Sequence, residues 1–98
     1  MSDQADRYAK IRLLNARDIE AIFVKVAYQN NMVDGLSIRW DGSDWPQSAR
    51  DTHQVEFSAG SRTVCRQLSD SALVNLQTNV CLAMVWKMIR EAVAELLP

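Results

Sequence analysis

LSIRWDGSDWPQSARDTHQVEFSAGSRTVCRQLSD, residues 36–70, is the stretch on which the fold turns. Leu36, Ile38 and Trp40 alternate with Ser37, Arg39 and Asp41, so an extended chain here carries one apolar and one polar face. Asp41-Gly42 supplies turn chemistry, and Trp45-Pro46 falls in the connection that follows. A second strand is expected over residues 53–58, with Val55 and Phe57 facing inward. Ala59-Gly60 suits a tight hairpin turn, and residues 62–68 return as a third strand. The expectation is a three-stranded antiparallel meander.

Downstream, Ser69 and Asp70 precede a long helix expected over residues 71–97, anionic in its first turn and carrying Lys87 and Arg90 later. Leu73, Leu76 and Val80 make one apolar stripe; Leu82, Val85, Trp86, Ile89, Val93 and Leu96 make another, with Cys81, Met84 and Met88 between them. A helix lying on one side of a sheet needs an apolar stripe only about 100° wide. Between residues 80 and 89 this one is apolar nearly all round, broken by Lys87. Either the helix is central, sandwiched between the sheet and another helix, or one face is covered by a second subunit or another protein.

Upstream, Ile19, Ile22, Phe23 and Val26 recur at helical spacing, and Asn15 with Asp18 resembles a helix start, which predicts a helix over 16–30. The β-branched content of AIFVKVAY also admits a strand. Residues 10–14 read equally as a short strand or as the end of a helix, and the polar residues 1–9 are expected to be flexible, frayed or loosely helical. The fold class expected is α+β: one domain, a three-stranded antiparallel β-meander packed with an N-terminal helix and a long C-terminal helix.

Composition narrows the function classes. Hydrophobic residues are 48% and charged residues 23% of the 98, the balance of a chain that builds a core. Eleven basic against twelve acidic residues leave a net charge of -1, without the positive excess that drives non-specific binding to phosphates. The longest apolar run, residues 80–86, is far short of the roughly 20 residues that span a bilayer, so no membrane role is expected. Two cysteines and a polar, charged N-terminus suggest reduced thiols in a cytoplasmic protein.

Chemistry is sparse. His53 has Asp51 two residues before it, but on an extended strand the two need not converge, and no nucleophile-elbow pattern surrounds any serine or cysteine. His53, Cys65 and Cys81 lack metal-ligand spacing, and the glycines are isolated, so no catalytic residue, cofactor, metal site or small-molecule substrate is expected. Trp40 and Trp45 lie among Arg39, Arg50, Arg62 and Arg66, residue types that stack on bases and hold phosphates. Asp41, Asp44, Asp51 and Glu56 balance those arginines.

Residues 45–76, WPQSARDTHQVEFSAGSRTVCRQLSDSALVNL, resemble a small bacterial domain of unknown function. In that domain a Trp-led turn precedes a V-x-F strand, a short hairpin and a V-C strand, and a Ser-Asp-x-Ala-Leu helix start follows. The resemblance implies a hairpin-then-helix order and a bacterial or bacteriophage origin, and it brings no site residue with it.

The function expected is a non-enzymatic protein-interaction module, an adaptor, inhibitor or immunity-type protein, with a protein partner or a second copy of itself held through the C-terminal helix. Met84, Trp86, Met88 and Ile89 are the expected contact residues, since Met repacks easily and Trp often anchors interfaces. The alternative is a small nucleic-acid-binding regulator using Arg39, Arg50, Arg62 and Arg66.

Overall fold

The computed structural model describes residues 2–41, 45 and 51–98, residues 2–7 by their backbone alone. Three strands, β1 (Leu36–Trp40), β2 (Thr52–Ala59) and β3 (Arg62–Ser69), form an antiparallel sheet in the order β1-β2-β3. The α+β meander read from the alternation is the architecture observed. Its register pairs Ile38 with Phe57 and Phe57 with Val64. His53, Val55, Phe57, Val64 and Leu68 therefore share the buried face, and Ser37, Arg39, Gln54, Cys65 and Gln67 the exposed one. The β2–β3 hairpin turns through Gly60 and Ser61, with Gly60 at φ +64 in the first central position, where a type II′ turn places glycine. Gly35 lies against this turn at φ +66, and a Cβ there would come within 2.7 Å of the Gly60 nitrogen.

The N-terminal helix, α1 (Ser2–Gln29), is longer than the 16–30 expected and takes in residues 2–9, read as flexible, frayed or loosely helical, and 10–14, read as strand or helix end. Asn15 does not cap it. Ala9, Arg12, Ala16, Ile19, Phe23 and Val26 are buried at alternating spacings of three and four, so the inward stripe continues through residue 15 without a break. Asn15 points inward from mid-helix, and its amide donates to the carbonyls of Leu73 (2.8 Å) and Val74 (3.3 Å). At its other end α1 closes with Asn31 in the left-handed region (φ +63), Met32 N–H donating to Ala27 and Asn31 N–H to Tyr28, the paired bonds of a Schellman motif.

The expected helix over 71–97 is two helices, α2 (Asp70–Val74) and α3 (Asn79–Leu96). Ser69 caps α2, its hydroxyl accepting from Ala72 N–H at 3.1 Å. The break at 75–78 has a local cause. Asn75 and Thr78 each offer the backbone a side-chain partner: Asn75 donates to Ser71 O, Thr78 donates to Asn75 O, and Thr78 caps α3 by accepting from Cys81 N–H.

Both long helices cover the same face of the sheet, side by side. Phe23 of α1 meets Phe57 of β2 with ring centroids 5.1 Å apart, while α3 packs along β3 and against α1. The α3 helix is therefore not sandwiched between α1 and the sheet; its flank beyond the β3 edge of the sheet is open.

Candidate functional site: the open flank of α3 and a sealed histidine

Val85, Ile89, Ala92, Val93 and Leu96 form the buried face of α3. Ile89, expected as a contact residue, is fully buried and belongs to the core, because it sits at the centre of the face turned to the sheet. Trp86 is half-buried on the side facing α1, where the Lys25 ammonium lies 5.8 Å from its ring centroid. Met84 is 51% exposed and Met88 half-buried. Val80, read from the sequence as one stripe with Leu73 and Leu76 and not among the expected contact residues, is 76% exposed, while those two leucines are buried. Val80, Met84 and Met88 recur every four residues and so line one flank of the helix. The spacing was legible; which stripe stays outside was not.

This flank borders an open groove of about 420 Å³ between β3, at Gln67, Leu68 and Ser69, and α3, at Met84, Lys87, Met88 and Glu91. β3 is an edge strand. Asp70 N–H donates to Asp51 O at 2.8 Å, which sets the phase of the β2–β3 ladder: residues 62, 64, 66 and 68 bond to β2, and 63, 65, 67 and 69 turn their backbone groups outward. The Arg66 guanidinium donates to Cys65 O (2.9 Å) and pairs with Glu95, and Arg62 donates to Leu97 O (3.0 Å). One end of the groove is thereby closed, and the stretch 67–69 is left open.

The three described arginines of the four do not form one surface. Arg39 stands on the exposed sheet face paired with Glu56 (3.2 Å), Arg66 points to the opposite, helix-covered face, and Arg62 lies at the hairpin; Arg50 lies outside the described residues.

His53 is the chemically richest position and the least accessible, with no exposure at all. Asp51 is not its partner. Nδ1 lies 2.5 Å from Asp41 Oδ2 and Nε2 lies 2.7 Å from Asp70 Oδ1. Asp70 in turn accepts from Arg12 Nε (2.7 Å) and Nη2 (3.2 Å), giving a row Arg12–Asp70–His53–Asp41 that ties α1, α2 and the ends of β1 and β2 together. Asp41 also accepts Gln54 N–H at 2.8 Å, from a backbone at φ +35. Trp45 closes the site with its ring edge-on to His53 (5.3 Å) and stacked on Trp40 (4.8 Å). Burial alone would raise the Asp70 carboxyl, but the hydrogen bonds from Arg12 and His53 outweigh it and hold the carboxyl below its usual range. Each ring nitrogen of His53 thus has an aspartate oxygen as its hydrogen-bond partner, so the imidazole is held at both ends.

Cys65 is exposed on the sheet face opposite His53, and Cys81 is half-buried on α3, so the three soft-ligand side chains do not converge. Comparison of the chain with protein-family models, with curated proteins and with solved structures finds no match. Among the described residues no helix is long and apolar enough to cross a membrane.

Proposed function

We propose that the protein is a small non-enzymatic interaction module, an adaptor, inhibitor or immunity-type protein of a bacterial or phage cytoplasm, that binds a protein partner through the outer flank of α3. The observation carrying this reading is the run Val80, Met84, Met88, which leaves large apolar side chains in the open beside a groove and an edge strand. Val24 (38% exposed) and Tyr28 (56%) of α1 also lie one turn apart, Val24 beside a groove against β1, but Val80, at 76%, is the most exposed of the large apolar side chains described.

The histidine row supports a non-enzymatic role. A general base must come within hydrogen-bond reach of a substrate, and both nitrogens of His53 are taken by aspartates beneath an indole. The placement of Arg39 and Arg66 on opposite faces removes the common surface that a phosphate-binding sheet needs.

Affinity capture with nuclease present, comparing the wild type with Met84→Lys, tests the reading. A protein retained by the wild type and lost with the variant is expected, while circular dichroism shows both folded. Equal capture by the two, or recovery of nucleic acid alone in a parallel capture without nuclease, would sink it.

A further inference from the structure

The groove beside α3 has features that select its occupant, given that this flank is a binding surface. We infer that the occupant is a second copy of this chain, joined edge to edge through β3 so that two three-stranded sheets become one of six strands.

Hydrogen bonding sets the register. An edge strand presents an unpaired ladder of backbone groups, and here the open part of it is short. Arg66 folds over the edge at Cys65, and the chain leaves the sheet for α2 at Asp70, so the free outward positions are Gln67 and Ser69, with Leu68 between them. A twofold axis through Leu68, perpendicular to the sheet, sets Gln67 of one copy against Ser69 of the other. Each of the two equivalent pairs exchanges two N–H···O bonds, four in all. Such an isologous contact closes on itself and leaves no further β3 edge to extend.

Charge supplies the second argument. The same axis keeps both helix layers on one side of the joined sheet and brings the two α3 helices together antiparallel. Lys87 and Glu91 both line the groove, one turn apart and of opposite sign. Antiparallel approach brings Lys87 of each copy to Glu91 of the other, twice by symmetry, so the surface is complementary to itself. Between these charges and the strand, Met88 and Leu68 lie near the axis and meet their own copies, and flexible Met side chains fill such a seam readily.

Sedimentation equilibrium on the wild type, Lys87→Glu, Glu91→Lys and an equimolar mixture of the two variants tests this. The wild type is expected to dimerise. Each variant alone opposes like charges across the twofold and is expected to dimerise at least about tenfold more weakly. The mixture opposes an acidic α3 to a basic one and is expected to recover the wild-type affinity. Both positions are exposed, and circular dichroism confirms that the variants fold. A wild type that stays monomeric up to its solubility limit, variants that dimerise as it does, or a mixture that fails to recover would each overturn the second-copy assignment. A monomer that still captures a protein through Met84 would overturn this inference alone, leaving the interaction-module reading in place.

Discussion

A histidine with no exposed surface, held at both nitrogens by aspartates, is a joint in which every member depends on the next. Asp41 is 1% exposed at its side chain and accepts from His53 and from the Gln54 backbone. Removing the imidazole leaves that carboxylate oxygen buried without its partner, a loss that costs about 3–5 kcal/mol where one member of a buried pair is deleted. His53→Ala is therefore expected to lower the unfolding free energy in urea by that amount, a large share of the total for a domain of this size. A change under about 1 kcal/mol would show that the row is not coupled in solution.

Asp70 gives the joint a pH signature. Its carboxyl is depressed in the folded protein from the ordinary 3.8, burial being outweighed by hydrogen bonds and charge from Arg12 and His53. A depressed carboxylate contributes stability in full above the unfolded value of 3.8, and the contribution is lost as the pH falls through the lower folded value. The stability gap between wild type and Asp70→Asn should thus be constant near neutral pH and shrink as the pH drops below 3.8. Urea titrations across that range check it. A gap that does not change with pH would rule out an ionic contribution from Arg12 and His53. Of this residue-scale detail, the sequence held only the presence of His53. Asp51, its neighbour in the chain, was the partner in view. Asp41 and Asp70 come from the ends of β1 and β3, and only the register of two strand pairs brings them to the ring.

At the scale of the element, α3 shows how far periodicity reads and where it stops. It identifies the apolar positions at 82, 85, 86, 89, 93 and 96, yet it does not say which stripe meets the sheet. Ile89 is fully buried and Met84 half in water, a difference that a truncation series should report. Ile89→Ala is expected to cost about 2–5 kcal/mol of stability through the cavity it leaves. Met84→Ala should stay within about 0.5 kcal/mol, as surface changes do. Thermal and urea unfolding of the two variants measures both. Equal losses would mean that the outer flank is covered within the monomer. The ends of helices were less legible than their faces. Asn15 with Asp18 has the composition of a helix start, but the buried repeat running back to Ala9 carries the helix through it. Asn75 and Thr78 have the composition of a break and do break the helix, although the apolar residues on either side read as one continuous helix.

In the whole molecule the two helices and the sheet make two layers with one open sheet face, and that asymmetry decides what is available for binding. The open sheet face is polar: Ser37, Arg39, Gln54, Glu56 and Gln67 stand on it, with Arg39 paired to Glu56. The apolar opportunity lies instead at the β3 edge, where α3 overhangs the groove. Alternation in 36–70 by itself determined the three strands, their antiparallel order and their inward faces, because strand pleat and short turns act between residues near in sequence. Helical spacing likewise marked apolar stripes on residues 19–26 and 80–96 without saying which of them are buried. Only the tertiary structure decided that Asn15 serves α2 across 58 residues, that His53 is locked between Asp41 and Asp70, that the arginines part to opposite faces, and that Val80 and Met84 remain outside. The physical reason is range: periodicity reports the direction of a side chain from its own element, while burial and pairing depend on which other element arrives there.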